Sequence, residues 1–252
     1  MYDIKLKYLA SVFVDADSIT ANAENITLLL KILNDEKLLP VSLQEPSITG
    51  GIPRIAFATP SGERQLLLLG KRFDYTRLLG AEEGENWGDF SVFCREAGEK
   101  LITALNFFQR KAHRLAAVQE GLLADFPPKE MEHIAQRLFK FPPIFAQNAP
   151  FEWDWRSAAV ISRTFSNVTE PTNTIATVKR WAGKIIKKDD GEIIQSHLDR
   201  IRVDFDINTV ADNVKARFEE SHIREFFKEV ASWHDQLSSE FFAFINGRDT
   251  NE

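Results

Sequence analysis

The stretch Arg200-Ile201-Arg202-Val203-Asp204-Phe205-Asp206-Ile207 decides the fold, because it alternates strictly between charged and apolar residues. Its four apolar residues fall on one face of a strand, and its four charged residues fall on the other. From Ile223 to Ile245, apolar residues then recur at steps of three and four. This pattern predicts a helix of about six turns with one apolar stripe, ended by Gly247. His234 lies beside that stripe and is predicted to sit at its boundary.

The same unit of strand followed by helix occurs earlier, between Arg64 and Gln109. Phe73-Asp74-Tyr75-Thr76 aligns with Phe205-Asp206-Ile207-Asn208, and Lys37–Gln44 aligns with Lys140–Gln147. We interpret the two matches as a diverged internal duplication. The first α+β repeat would span residues 1–110 and the second residues 111–247, with a flexible tail over 248–252.

Turn residues and periodicity predict the same element order in each half: strand, helix, several antiparallel strands, long helix. Arg64–Thr76 is predicted to be one long strand, and Asp189-Asp190-Gly191 to be a hairpin turn. Leu115–Leu123 is predicted to be the first strand of the second half. The fold class expected is therefore α+β, with a curved antiparallel sheet backed by helices.

Composition excludes several classes of protein. The 252 residues carry a net charge of −6, which disfavours a nucleic-acid binder driven by bulk charge. The single cysteine, Cys94, excludes a disulfide framework and a tetrathiolate zinc site. The segment Met1–Lys7 has no apolar run typical of a signal peptide, and no window approaches a membrane span. A cytoplasmic protein without a membrane segment is expected.

The repeated order of elements resembles the saddle of the TATA-box-binding-protein fold, and each half also resembles helix-grip domains. This likeness is topological and carries no shared motif. The C-terminal part resembles a scattered family of uncharacterised bacterial proteins that end in an aliphatic-Asp-aliphatic-Asp strand and a long helix. Val203-Asp204-Phe205-Asp206-Ile207 fits that ending, except that Phe205 is aromatic. The resemblance implies the fold and no known activity.

Asp204 and Asp206 are the sharpest candidates for chemistry. Two residues apart on a strand, their carboxylates project from the same face about 7 Å apart, and such a pair can hold Mg²⁺. Nucleotidyltransferases use a similar strand, but the Gly-Ser turn that they need is missing upstream. Asp15 or Asp17 could supply a third carboxylate. The alternative is that these are solvated acids balanced by arginines.

Two further groups are candidates for ligand binding. Trp153 and Trp155 share a strand face with Phe151, and they either line a groove that stacks on bases or form a core face under the long helix. The second group is a basic patch around the last hairpin, which can grip nucleic acid or simply be solvated. This patch contains Lys179, Arg180, Lys184 and the neighbouring Trp181.

These observations favour a non-catalytic bacterial interaction or regulatory protein that binds a protein partner, or itself, through a sheet face or sheet edge. Analogy extends this expectation to an accessory of a defence or toxin-control system. One alternative is a metal-dependent enzyme or sensor that acts on a nucleotide or phosphate ester through Asp204 and Asp206. Another is a nucleic-acid or small-ligand binder that uses the concave sheet and the Trp153–Trp155 stripe. No cofactor is expected apart from Mg²⁺ in the enzyme alternative.

Overall fold

The computed structural model describes residues 2–35, 37–48, 50–79, 88–147, 150–189 and 192–247, with the backbone alone for residues 146, 147, 182–189 and 192–198. The elements of the first half are β1 (Ile4–Phe13), α1 (Ala23–Leu33), β2 (Leu39–Pro40), β3 (Leu43–Ser47), β4 (Gly50–Ala58), β5 (Arg64–Leu68), β6 (Arg72–Leu78) and α2 (Phe90–Phe107). Those of the second half are β7 (Arg114–Leu122), α3 (Pro128–Leu138), α4 (Ile144–Gln147), β8 (Asp154–Phe165), β9 (Val168–Asp189), β10 (Glu192–Thr209) and α5 (Glu220–Ile245).

The strands form one antiparallel sheet in the order β2-β4-β5-β6-β1-β7-β10-β9-β8, with β3 paired to β4 beside this path. The two halves of the sheet have the same strand order outward from the central pair β1–β7. In the first half, β1 is followed by β6, β5 and β4, and in the second half, β7 is followed by β10, β9 and β8. At the middle, β1 pairs with β7 from Ile4 opposite Leu122 to Phe13 opposite Arg114. The predicted α+β class is confirmed. The duplication itself and the boundary at residue 110 stay predictions.

The helices pack on one face of this sheet. On β10, Ile201, Val203, Phe205 and Ile207 have no exposed surface, and they join two clusters of buried side chains that also contain residues of α1, α2, α3 and α5. Burying a large apolar side chain contributes about 1.5–3 kcal/mol, so these clusters dominate the stability of the fold. None of the helices in the described ranges combines the length and the apolar character needed to cross a membrane.

The predicted stripe of α5 is largely confirmed, with two corrections. Phe244, one of the apolar residues predicted to belong to the stripe, is 47% exposed and lies outside the core. His234 is fully buried, and the prediction that it sits at the boundary of the stripe is wrong. Its Nε2 lies 3.1 Å from the carbonyl oxygen of Ala117 in β7, so the ring has a polar partner inside the core. Gly247 follows the helix with a φ of 70°, as expected for a residue that ends one.

The prediction of one long strand over Arg64–Thr76 is wrong, because a hairpin divides it into β5 and β6. Leu68 lies opposite Phe73 across this hairpin. The turn contains Gly70, where an added Cβ would lie 2.3 Å from side-chain atoms of Arg54 and Asp17. A side chain at Gly70 would require Arg54 and Asp17 to move, and the apolar run before this residue hides the turn from a search for periodicity.

The second sequence match does not correspond to equivalent local structure. Residues 37–44 contain β2 and the start of β3, whereas residues 140–147 end in the helical turn α4. The match between Phe73–Thr76 and Phe205–Asn208 does fall on equivalent strands, since β6 and β10 occupy the same place in the order of the two halves.

Candidate interaction site

A two-stranded hairpin arm extends beyond the rest of the sheet. The last residue of β9 that pairs with β8 is Lys179, opposite Asp154. The last residue of β10 that pairs with β7 is Arg202, opposite Leu122. Beyond them, β9 and β10 stay paired with each other for ten residue pairs, and the last nine, from Trp181–Arg200 to Asp189–Glu192, form the arm. At about 3.3 Å per residue this arm, residues 181–189 and 192–200, is about 30 Å long. The predicted turn residues Asp190 and Gly191 lie outside the described residues.

The base of the arm is fixed by charged side chains. Arg180 makes a two-pronged contact with Asp199, with Nε–Oδ1 and Nη2–Oδ2 distances of 2.8 and 2.6 Å. This hydrogen bonding lowers the pKa of Asp199. On the other strand, Arg200 donates to Asp3 and, over 3.1 Å, to the carbonyl oxygen of Leu123. These contacts tie the base of the arm to the rest of the sheet.

The charges of the arm are balanced. Residues 181–200 contain four cationic residues (Lys184, Lys187, Lys188 and Arg200) and four acidic residues (Asp189, Asp190, Glu192 and Asp199). Of the predicted basic patch, Arg180 is neutralised by Asp199, Lys179 and Trp181 are half-buried at the base, and the side chain of Lys184 lies outside the described part of the chain. The formal charges of residues 181–200 therefore sum to zero.

Asp204 and Asp206 lie on the face of the sheet opposite the helices, which we call the uncovered face. Asp204 lies opposite Glu120 of β7, and Glu120 contacts Arg202 with an oxygen–nitrogen distance of 2.7 Å. Burial, the charge of Glu120 and the charge of Asp206 together raise the pKa of Asp204 to about 6. Lys7 and Arg202 attract this carboxylate and limit the rise.

Asp206 belongs to a chain of amide contacts on the same face. It accepts a hydrogen bond of 2.9 Å from Nδ2 of Asn208. The Oδ1 atom of Asn208 accepts in turn from Arg114 at 2.8 Å and from Asn173 at 2.9 Å. Burial raises the pKa of Asp206, and the hydrogen bond from Asn208 opposes that rise. The network fixes these polar groups across three neighbouring strands.

The geometry does not extend the aspartate pair into a metal site. Asp15 and Asp17, proposed as sources of a third carboxylate, follow the far end of β1 and contact Lys71 with distances of 3.3 and 2.5 Å. The acid beside Asp204 is instead Glu120, which sequence inspection did not single out. Within the described ranges, no three His, Cys, Asp or Glu side chains are grouped as a metal ion would require.

Trp153 and Trp155 lie on the helix-covered side and not on the uncovered face. The ring of Trp153, 7% exposed, meets Phe139 with centroids 5.7 Å apart. The ring of Trp155 meets Phe241 of α5 at 5.9 Å. Phe151, predicted to share their face, is 80% exposed before β8 begins. Trp153 thus lies in the core, and the half-buried Trp155 packs against it, which is the alternative to a groove given above.

A polar groove of about 940 Å³ opens between α1, α2 and the turn that joins β4 to β5. Its charged groups contact one another. Arg64 lies 3.2 Å from Glu96, Lys100 lies 3.2 Å from Asp35, and Arg77 lies 2.5 Å from Glu63. Because opposite charges are already matched within its walls, the groove offers little excess charge to a ligand.

Comparison with protein-family models and with curated proteins finds no match for this chain. Among the described strands, β8 ends the sheet, and the arm extends past the strands that flank it. Alternation of apolar and polar residues predicts the length of a strand, but it does not show where the flanking strands of the sheet end.

Proposed function

We propose that the protein is a non-catalytic interaction protein that uses the arm to bind a protein partner. The observation that supports this proposal is the arm of nine residue pairs by which β9 and β10 extend past the strands that flank them. A two-stranded hairpin alone is at best marginally stable in water. A hairpin this long therefore adds little stability to the fold unless a partner covers it.

The backbone of the arm suits strand addition. In the described chain, no further strand pairs with the outer side of either arm strand, so both sides present unpaired N–H and C=O groups. An extended segment of a partner can add to such an edge through main-chain hydrogen bonds. The sequence of the arm contains Ile-Ile at 185–186 and again at 193–194, a composition typical of strands with buried surfaces.

A protein partner fits the arm better than a nucleic acid does. The four cationic and four acidic residues of 181–200 cancel, and the whole chain carries a net charge of −6. A phosphate backbone is recognised mainly through an excess of Lys and Arg. On the uncovered face beside the arm, the cationic Lys7 and Arg202 are offset by Asp204, Asp206 and Glu120.

The test is a variant with a shortened arm, in which Asn-Gly replaces residues 184–197 and closes the hairpin on the hydrogen-bonded pair Gly183–Leu198. This variant keeps the Arg180–Asp199 contact and therefore the base of the arm. A protein captured by the wild type from lysate of its own source is identified, purified and titrated against both forms by calorimetry. We expect the shortened arm to weaken its binding at least tenfold.

The matched control is Val214→Lys, since Val214 is 75% exposed in the loop between β10 and α5. This variant should bind like the wild type. Equal affinity of the wild type and the shortened arm would contradict the proposal. Capture of nucleic acid in place of protein would contradict it as well.

A further inference from the structure

We propose that a second copy of this chain pairs with the outer strand β8, antiparallel and edge to edge, so that one sheet continues through both copies. The proposal does not depend on the arm or its partner. It rests on the position of β8, the direction of its hydrogen-bonding groups, its composition and the structure of the opposite edge.

The strand β8 is a long and regular edge. It ends the sheet, and it pairs with β9 without interruption from Phe165–Val168 to Asp154–Lys179. Residues 156–162 are all exposed, with Val160 at 65% and Ile161 at 40%. Residues 157–162 read Ser-Ala-Ala-Val-Ile-Ser, without charge or proline. Proteins that stay monomeric protect such edges with charged residues, proline or a bulge.

The turn that joins β8 to β9 shows which backbone groups are free. Ser166 and Asn167 both have positive φ, 46° and 67°, as a two-residue type I′ hairpin requires. In such a hairpin the flanking pair Phe165–Val168 is hydrogen-bonded, and hydrogen-bonded pairs then recur at every second residue. The odd-numbered residues of β8 therefore bond to β9. The hydrogen bond from the N–H of Arg180 to the carbonyl oxygen of Trp153 agrees with this alternation.

The even-numbered residues of β8 consequently point their N–H and C=O groups away from the sheet. These residues are Asp154, Arg156, Ala158, Val160, Ser162 and Thr164. An antiparallel register centred on Ala159 places all six opposite even-numbered residues of a second copy. It also brings no like charges together, since Arg156 then faces Ser162 and Asp154 faces Thr164.

The opposite edge of the sheet cannot serve as the other half of a head-to-tail contact. There, β2 has only two residues and includes Pro40, and β3 includes Pro46. Short strands and prolines block main-chain pairing. An edge that fits only a copy of itself gives a closed twofold dimer, whereas two complementary edges would give an open filament.

The first measurement is the mass in solution by light scattering at tens of micromolar protein. We expect twice the chain mass of 28.8 kDa for the wild type. Val160→Pro removes an outward N–H without touching the pairing with β9, and should give the monomer mass. Val214→Lys is the matched surface control and should stay dimeric. Circular dichroism establishes that all three proteins are folded.

The second measurement fixes the register. In the proposed arrangement the two copies of residue 159 form a pair without hydrogen bonds, whose Cα atoms lie about 4.5 Å apart. That spacing allows a disulfide, so Ala159→Cys should form a covalent dimer under mild oxidation. The native Cys94 is fully buried and should not interfere. Val214→Cys is the control that should stay monomeric on a non-reducing gel.

Two outcomes would overturn the proposal. One is a wild-type protein with the monomer mass that also fails to crosslink through residue 159. The other is a dimer that survives Val160→Pro without crosslinking at residue 159, because its interface would then lie elsewhere.

Discussion

Gly98 of α2 lies directly against the ring of Phe227 of α5. A Cβ added at Gly98 would come within 3.3 Å of Cβ and Cδ2 of Phe227, closer than ordinary van der Waals contact. The two residues mark the point where the long helix of one half meets the long helix of the other. The absence of a side chain at residue 98 therefore sets the spacing between these helices.

A large side chain at this point should force the helices apart. We expect Gly98→Leu to lower the free energy of unfolding by about 1–3 kcal/mol, measured by urea denaturation, because overpacking strains a close contact. The control is Arg95→Leu, an exposed position on the same helix, which should change stability much less. Equal effects of the two substitutions would contradict the proposed role of Gly98.

The buried His234 should make the protein sensitive to acid. Burial lowers the pKa of His234 to about 3, against an ordinary value of 6.5 in the unfolded chain. Between these values the unfolded chain binds a proton that the folded chain excludes, so stability falls as pH drops below 6.5. The slope expected from this one group is about 1.4 kcal/mol per pH unit.

Urea denaturation at pH 7.5, 6 and 5 measures this slope. His234→Gln keeps an N–H that can reach the carbonyl of Ala117 but cannot titrate, and it should flatten the dependence. His133→Gln, at an exposed position of α3, is the matched control and should keep the slope of the wild type. A slope that His234→Gln leaves unchanged would assign the acid sensitivity to other groups.

Asp204 should oppose folding when it is ionised. Its pKa in the fold is about 6, above the ordinary value of 3.8. The folded state therefore holds a proton between pH 3.8 and 6 that the unfolded state lacks. The penalty is complete above pH 6 and disappears as the pH falls toward 3.8. We expect Asp204→Asn to stabilise the protein by about 1–2 kcal/mol at pH 8, after allowance for solvent screening, and less at pH 5.

Denaturation at the two pH values tests this expectation. Asp212→Asn, an exposed position in the loop between β10 and α5, serves as the control and should show no such gain. A loss of stability in Asp204→Asn at pH 8 would mean that attraction to Lys7 and Arg202 outweighs the burial of the charge.

The turn between β8 and β9 offers a stabilising substitution. Asn167 has a φ of 67°, which glycine adopts with less strain. Asn167→Gly should therefore raise the free energy of unfolding by a few tenths to about 1 kcal/mol, and Asn167→Val should lower it, as thermal denaturation can show. If valine were tolerated as well as glycine, the turn would not be of the type described.

Local patterns in the sequence predicted the elements on which the sheet is built. The alternation from Arg200 to Ile207 and the stripe of α5 both reflect burial within one element, and burial of one face is what periodicity records. The hairpin at Gly70 was not predicted, because the apolar run Leu66–Leu69 continues into its turn. The side chains of Arg54 and Asp17, which approach Gly70 closely, come from distant parts of the chain.

The polar groups that sequence reasoning missed depend on contacts between distant residues. His234 is buried because the carbonyl of Ala117 lies beside it, 117 residues away in the chain. Glu120 acts on Asp204 through the register of β7 against β10. Neither relationship leaves a local pattern in the sequence, whereas the aspartate pair itself was visible from its spacing.

The ladder between β1 and β7 makes the two halves of the chain depend on each other. If the backbone were cut near Lys111, β1 would lie in one fragment and its partner strand β7 in the other. Each fragment would then expose the apolar face and the unpaired edge of its strand. The same cut would separate Glu99 from Arg224, which contact at 2.8 Å, and Gly98 from Phe227. The fragments should accordingly fold poorly alone and reassemble when mixed, so that one polypeptide behaves as a tethered heterodimer.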